Sequence, residues 1–235
     1  MKKLILFAIA ALALASCGDK KTSTPTPEPT QLSGTWGIVD YLTVRFDTDG
    51  TASARIADGQ TVALTYEYDP ASRMLHLEGD SVDGYAEIRE KTDKLLTVYT
   101  VASAASGSQI FYDGKYLLPR LTDNGSAYAG ENLNGTADAL VGKWVAFGDE
   151  ADGEMTVTFR ADGKVEMYDA EYDETDICSY NYNPETKTLT LYAYGDVETG
   201  TVELVNDEAA IIYESYYDPE DGTTESYYMM LKRIE

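Results

Sequence analysis

Residue types that build most active sites and metal centres are scarce in this sequence. Among its 235 residues there are one histidine and two cysteines. A single histidine, His76, makes Ser–His and Cys–His nucleophilic mechanisms unfavoured. Because His76 alternates with Leu75 and Leu77, its side chain is expected to point away from the core. No Cys/His cluster offers a zinc site, and no glycine-rich loop leads into a helix that could hold phosphate. We therefore expect no catalytic activity and no cofactor.

Positive charge is also scarce, and its scarcity is uneven along the chain. Residues 32–121 carry 8 basic and 13 acidic side chains, a net charge of −5, whereas residues 122–235 carry 6 and 26, a net charge of −20. Because a surface of that sign repels a phosphate backbone, we expect no nucleic-acid partner for the second half. High solubility is the simplest meaning of this acidity.

Long apolar runs are missing after the first fourteen residues. Residues 4–14 are apolar but too short to span a bilayer, and they follow the basic residues 1–3, as in a secretory signal peptide. Residues 14–17 read LASC, which resembles the lipobox of bacterial lipoproteins. The resemblance implies a signal peptide over residues 1–16, acylation of Cys17, and a lipid anchor in the cell envelope, at the outer membrane of a Gram-negative bacterium. The alternative is an ordinary signal peptide followed by a chance cysteine.

The segment after the apolar run predicts no fold. Residues 17–31 are rich in Ser, Thr, Pro and charge without apolar periodicity, so we interpret them as the lipidated cysteine followed by a flexible tether. The other cysteine, Cys178, has no disulfide partner once Cys17 is acylated. Apolar burial must therefore hold the mature fold together.

From residue 32 onward the sequence contains an internal repeat. Matching segments occur in the same order, which predicts two similar units at residues 32–121 and 140–235, joined by a polar, Gly/Asn-rich linker at residues 122–139. The matched pairs are LSGTW (32–36) with LVGKW (140–144), FDTDGT (46–51) with FRADGK (159–164), YEYDP (66–70) with YNYNP (180–184), and LPRL (118–121) with LKRI (231–234).

Alternation of apolar and polar residues predicts strands throughout both units. Met155, Val157 and Phe159 share one face, and Asp162-Gly163 supplies the tight turn that follows them. Seven or eight short strands per unit, joined by short turns, predict an antiparallel meander that closes on itself. The expected fold is all-β, with two tandem small antiparallel meander β-barrels that fold separately after the signal peptide and tether.

Each unit places Gly-x-Trp on its first strand and an arginine near the end of its last. This combination resembles the pattern of lipocalins and the wider calycin group, and it covers nearly all of residues 32–235. The resemblance implies an arginine lying across the tryptophan ring and closing one end of the barrel, a contact that cation–π attraction favours. Each unit is shorter than a full lipocalin, so we expect narrow, filled barrels without a ligand cavity. The structural residues so identified are Trp36 with Arg120, and Trp144 with Arg233.

Tyrosine is the one enriched residue type, with 19 copies. A tyrosine side chain has a flat apolar face and a polar tip, which suits recognition of sugars or proteins, although tyrosine is also a good strand former on a half-exposed sheet. Tyr192 and Tyr194 take the opposite parity to the apolar residues of their strand and should face outward. The candidate ligand-binding residues are Tyr192, Tyr194, Tyr216 and Tyr217.

Carboxylates crowd the loop at residues 169–176, where Asp169, Glu171 and Asp173 are candidate calcium ligands. The stretch does not match the twelve-residue calcium loop, and acidic turns are usually just solvated. Paired carboxylates can also hydrolyse glycosides, but no pair stands out. We expect a non-catalytic binding or accessory module of the envelope, with glycans as candidate ligands. The alternatives are a structural or assembly partner that docks other envelope proteins, and a carboxylate-dependent hydrolase.

Overall fold

The computed structural model describes residues 31–55, 59–80, 82–103, 114–147, 155–193, 195–217 and 224–235. This part of the chain folds into sixteen antiparallel strands without an α-helix, which confirms the all-β prediction. None of the described segments forms a helix that is long and apolar enough to cross a membrane.

The first unit is one sheet of eight strands, each paired with its neighbour in sequence. Its strands are β1 (Gly34–Ile38), β2 (Leu42–Phe46), β3 (Thr51–Arg55), β4 (Thr61–Asp69), β5 (Met74–Gly79), β6 (Val82–Lys91), β7 (Leu95–Ser103) and β8 (Lys115–Pro119). The last strand returns beside the first, where Trp36 and Arg120 form an isolated bridge and the Leu121 amide donates to the Thr35 carbonyl at 2.8 Å. The sheet therefore curls nearly to closure. A continuous ladder is missing between these two strands, since β8 is short and ends at Pro119, which has no N–H to donate.

The second unit is a closed barrel of eight strands. Its strands are β9 (Gly142–Phe147), β10 (Met155–Phe159), β11 (Lys164–Asp169), β12 (Glu174–Asn183), β13 (Thr188–Ala193), β14 (Asp196–Val205), β15 (Ala209–Tyr217) and β16 (Thr224–Arg233). β16 pairs with β9 from Met230 opposite Phe147 to Arg233 opposite Trp144, and this ladder closes the barrel. Two eight-stranded antiparallel sheets in tandem fit a lipocalin-like arrangement, as the repeat and the Gly-x-Trp motif predicted.

The repeat is visible at the level of single turns. After β2 and after β10 the chain turns at Asp-Gly, with φ of 86° at Gly50 and 78° at Gly163. In both turns the aspartate carboxylate accepts a backbone N–H two residues on, at 3.0 Å for Asp49 and 3.2 Å for Asp162. Glycine is the residue that tolerates this positive φ without strain, so the same dipeptide produces the same hairpin twice.

The interior of the second barrel is filled at the end that Trp144 occupies. Val157, Phe159 and Val165, predicted to share a face, are 1–4% exposed and pack in one cluster with Trp144. The alternating residues of the same strands face outward. Burial of this kind contributes about 1.5–3 kcal/mol per large apolar side chain.

The two sheets also pack against each other, which alternation within each unit did not predict. In β7 and β8 neighbouring leucines point to opposite faces, yet Leu95, Leu96, Leu117 and Leu118 are all 0–2% exposed. One face of these strands covers the interior of the first sheet, and the other lies against β9 and β16 of the second barrel. Both faces of the sheet are therefore covered at this place.

The second barrel contributes outward-facing apolar side chains to this interface. Phe147, Ile211 and Met230 belong to the core cluster of the first unit although they lie on strands of the second. Polar contacts ring the interface, since the Lys94 ammonium donates to Asp207 at 2.6 Å and the Thr92 hydroxyl donates to Glu208 at 2.5 Å. The interface thus has an apolar centre and a polar edge.

The segment predicted to be the linker, residues 122–139, is held by hydrogen bonds to β14. The side chains of Asn132 and Asn134 donate to the Glu203 carbonyl at 2.8 and 2.9 Å, and the Leu133 amide donates to the Val205 carbonyl at 2.7 Å. The polar composition that indicated a linker therefore reflects asparagines that satisfy backbone groups of the barrel.

Candidate functional site

In the first unit, the glycine, tryptophan and arginine of the motif close one end of the sheet. The guanidinium carbon of Arg120 lies 4.6 Å from the centre of the Trp36 ring, and Nη1 donates to the Ser33 carbonyl at 2.7 Å. The Trp36 indole N–H donates to the Leu32 carbonyl at 2.9 Å. Both donors named here are directed at backbone carbonyls of the same unit, which indicates a structural role for the closure.

The second barrel repeats the closure more tightly. The Arg233 guanidinium lies 4.0 Å from the Trp144 ring centre and donates to the carbonyls of Val141 and Ala139 at 3.1 and 3.0 Å. The Trp144 N–H donates to the Leu140 carbonyl at 2.8 Å. Burial lowers the pKa of the Arg233 guanidinium, although Asp207 opposes that shift. The arginine acts as a structural cap.

The glycine of the motif is required by the arginine that covers it. Gly34 has φ of 121°, and a Cβ there would lie 1.9 Å from Nη2 of Arg120. Gly142 has φ of 141°, and its Cβ would lie 2.6 Å from Nη1 of Arg233. The positive φ disfavours any other residue, and a side chain there would displace the guanidinium from its place, which explains why Gly-x-Trp and the distant arginine occur together.

Of the four candidate tyrosines, the structure places one side chain. Tyr192 lies on β13 and is 48% exposed on the outside of the second barrel, the orientation that its parity predicted. Tyr194 lies outside the described residues. Tyr216 and Tyr217 lie at the end of β15, with side chains outside the described part of the structure. Cys17 also lies outside the described residues.

Tyr192 belongs to an uncharged outer face formed by three neighbouring strands. Threonines pair across β13 and β14, Thr188 with Thr201 and Thr190 with Thr199, and the same two strands pair Tyr192 with Val197. On the other side, Ser179 of β12 lies opposite Tyr192. We call this surface the neutral face, and its members are Ile177, Ser179, Asn181, Thr188, Thr190, Tyr192, Val197, Thr199 and Thr201.

Four of the five carboxylates of these three strands fall on the opposite parity, and the fifth, Glu203, lies beyond Thr201 at the end of the face, where it accepts the Tyr128 hydroxyl at 3.1 Å. Glu174 and Asp176 of β12 share the parity of the buried Cys178, and Asp196 and Glu198 of β14 share that of the buried Val202. The nine members of the neutral face therefore carry no charge, within a unit (residues 140–235) of net charge −17. Sequence composition alone conceals this separation, because acidic and neutral residues alternate along each strand.

The neutral face exposes large apolar side chains together. Ile177 is 63% and Val197 61% exposed, on either side of Tyr192. Val197 of β14 lies directly opposite Tyr192. On β12, Ser179 lies opposite Tyr192, and Ile177 is two residues from Ser179. Val197 is therefore a cross-strand neighbour of Tyr192 and Ile177 a diagonal one. Exposed apolar side chains grouped in this way mark binding surfaces more often than isolated ones do. The sequence signal was the alternation T-x-T-x-Y at 188–192 and V-x-T-x-T at 197–201, which becomes one surface only when the strand register is known.

Two of the three candidate calcium ligands accept hydrogen bonds within or next to their turn. Asp169 accepts the Glu171 amide at 2.8 Å, and Asp173 accepts the Tyr168 hydroxyl at 3.2 Å. Across the described ranges, no group of three or more His, Cys, Asp or Glu side chains is placed to hold a metal ion. Asp169, Glu171 and Asp173 are therefore not brought together as a calcium site.

A buried carboxylate on the inner wall was missed by sequence reasoning. Glu214 of β15 is 5% exposed and lies opposite Gly200 and Tyr227. Burial raises the pKa of Glu214, a hydrogen bond from Tyr227 opposes that shift, and the nearby Glu198 adds to it. Gly200 makes room for this side chain, because a Cβ there would lie 2.9 Å from Cγ of Glu214. The signal was a glutamate on the inward parity of an apolar strand.

Comparison with known proteins finds no match among protein-family models and none among curated proteins. The lipocalin-like likeness is carried by the sheet topology and by the glycine–tryptophan–arginine closure of each unit.

Proposed function

We propose that this protein is a non-catalytic, lipid-anchored binding module of the cell envelope, and that its second barrel binds glycans through the neutral face. The position of Tyr192 carries the proposal. Its exposed ring can stack on the apolar face of a sugar, and the surrounding hydroxyl and amide side chains can donate to and accept from sugar hydroxyls.

Cys17 supplies the membrane anchor in this proposal. The basic, apolar and lipobox-like segments precede it in the order that bacterial lipoproteins use. Several acyl chains on one cysteine give stable anchoring, because each buried methylene contributes about 0.8 kcal/mol. In this proposal residues 17–31 serve as the tether that the sequence predicts, which leaves the barrels free to approach a ligand. We propose the outer membrane of a Gram-negative bacterium as the location.

Two features support a role without catalysis. His76 is engaged at the surface, with Nε2 2.9 Å from Asp83 and its ring stacked 4.4 Å from that of Tyr85. Cys178 is buried in the core of the second barrel at 6% exposure, where it packs as a small apolar residue.

Docking of another envelope protein on the same face is the second candidate function. Ile177 and Val197 favour it, because protein interfaces place apolar side chains at the centre of a polar rim. A glycan would use the ring of Tyr192 more than these two aliphatic side chains.

A glycan array read with the native protein and with Tyr192→Ala tests the proposal. We expect the substitution to weaken glycan binding about tenfold or more, as loss of a central aromatic anchor does. Tyr85→Ala is the matched control, since Tyr85 is 43% exposed on the first unit and should leave binding unchanged. Equal glycan binding by the native protein and Tyr192→Ala would refute the site. Capture of a protein partner that depends on Tyr192, without glycan binding, would establish docking instead.

A further inference from the structure

We infer that the ligand of the neutral face is an extended, uncharged polysaccharide bound along the outside of the barrel. The inference rests on the proposed glycan-binding function and names the class of glycan. Its basis is the separation of charge on β12–β14, where hydroxyl, amide and apolar side chains face outward and all the carboxylates except Glu203 take the other parity.

Charge selects against anionic sugars. None of the nine side chains of the face is a cation that could pair with a uronate or sulfate, and the second unit, residues 140–235, carries 6 basic and 23 acidic side chains, a net charge of −17. Lys164 borders the face, but its ammonium donates to Ser179 at 2.8 Å. Glu166 of β11 lies directly opposite Ile177 in the β11–β12 pair, so a carboxylate borders the face there. An anionic polymer would therefore find one cation, Lys164, at the edge of the face, and the Glu166 carboxylate and the net negative charge of the unit would repel it.

A cationic partner is not favoured by the face either. Complementary recognition of Lys or Arg needs carboxylates within the contact, whereas Glu166 and Glu203 only border the face and the other carboxylates of β12 and β14 alternate away from it. Uncharged hydroxyl groups are the partners that match the threonine pairs, because each hydroxyl both donates and accepts.

The shape of the face favours a polymer over a short sugar. Four residues along a strand and two inter-strand spacings make it roughly 14 Å by 10 Å. It is an outer sheet surface, so it covers only one side of a ligand, and each sugar unit gains little binding free energy. Several units in register with the rows of threonines would add their contributions. Threonine is stiff at χ1, so its hydroxyls are held in place before the ligand arrives.

The experiment measures binding of soluble polysaccharides to the full-length protein in detergent by affinity electrophoresis and calorimetry. The probes are an uncharged glucan, an uncharged mannan and the anionic polygalacturonate. The variant is Thr199→Val, which keeps the β-branched shape and removes one hydroxyl from the face. Thr61→Val is the matched control, since Thr61 is an exposed strand threonine of the first unit. Thermal melts check that both variants fold as the native protein does.

We expect at least one uncharged polysaccharide to bind and polygalacturonate not to bind. Thr199→Val should weaken that binding about threefold to tenfold, as loss of one hydrogen bond does, and Thr61→Val should leave it unchanged. Binding should change little between about 50 mM and about 500 mM salt, since no ion pair is formed.

Different failures are distinguishable. The protein could instead bind polygalacturonate or a basic protein, with binding that is abolished by Tyr192→Ala and unaffected by Thr199→Val. That result would overturn this inference and keep the face as a binding site. Polysaccharide binding that neither Tyr192→Ala nor Thr199→Val weakens would overturn the inference and the proposed function together. Failure of every polysaccharide to bind, with no Tyr192-dependent partner, would also overturn both.

Discussion

Removing the indole that closes the second barrel should destabilise both units of the protein. Trp144 is fully buried, so Trp144→Ala leaves a cavity that costs about 3–5 kcal/mol. It also removes the ring beneath Arg233 and the donor to the Leu140 carbonyl, and the first of these losses adds roughly 0.5–2 kcal/mol. The total is a large part of the about 5–15 kcal/mol that stabilises a typical domain.

The effect should reach the first unit through the interface between the sheets. Phe147, Ile211 and Met230 of the second barrel are buried in the core cluster of the first unit, at about 1.5–3 kcal/mol each. Unfolding the second barrel would return these side chains, and the leucines that cover them, to water. We therefore expect the two sheets to unfold in one transition, although the repeat alone predicts separate folding.

Tryptophan fluorescence during urea denaturation is the assay. The chain has two tryptophans, so Trp144→Ala retains Trp36 as the only tryptophan, and its fluorescence, excited selectively over that of the tyrosines, reports on the first unit. Trp144→Phe is the matched control, because it keeps most of the ring and the same single tryptophan. We expect the Trp36 transition to move to lower urea in the alanine variant than in the phenylalanine variant. An unchanged Trp36 midpoint would show that the units unfold independently and would refute the reasoning about the interface.

Three further predictions concern single residues. Burial raises the pKa of Glu214, so the folded state holds that proton more tightly than the unfolded chain, and this stabilisation is present at acid pH and lost as pH rises through the raised value. Glu214→Gln should therefore increase the free energy of unfolding near neutral pH and weaken the decrease of that free energy with rising pH. Urea titrations at several pH values measure both effects. If the pH dependence of the free energy of unfolding were the same in the variant, the buried Glu214 would not be its cause. Cys17→Ser should release soluble protein or block processing, and mass spectrometry of the native N-terminus should find acylated Cys17, whereas an unmodified Cys17 or another cleavage site would contradict the anchor. Gly142→Ala should lower the thermal midpoint, because its Cβ would meet the Arg233 guanidinium at a backbone angle that alanine resists; a midpoint equal to that of the native protein would mean that the closure tolerates a side chain.

Features that depend on local patterns were predictable from the sequence. Alternation identified the strands and the inward residues such as Val157, and the Asp-Gly dipeptides identified two matching turns. Contact between the sheets was not predictable in the same way, because it depends on which outward faces meet. A signal was present at residues 209–212, where four consecutive apolar residues are all buried, Ile211 in the interface and Ile212 in the barrel core. An uninterrupted apolar run indicates a strand covered on both faces.

The candidate site was predictable only in part for a related reason. Parity placed Tyr192 outside, but its neighbours Ile177 and Val197 come from other strands, and their grouping depends on register. Register follows from turn geometry and bulges, which short motifs specify poorly. Glu214 was missed because a glutamate is normally exposed, whereas here a tyrosine donor and a glycine opposite it allow burial.

The most direct test of the neutral face as the binding site is an NMR titration of the amide signals with the uncharged polysaccharide that binds best. The account predicts that the perturbed amides belong to β12, β13 and β14 and are centred on Tyr192, with Thr190 and Thr199 among them. Perturbations centred on Glu214 and the inner wall of the barrel, or on the first unit, would contradict it.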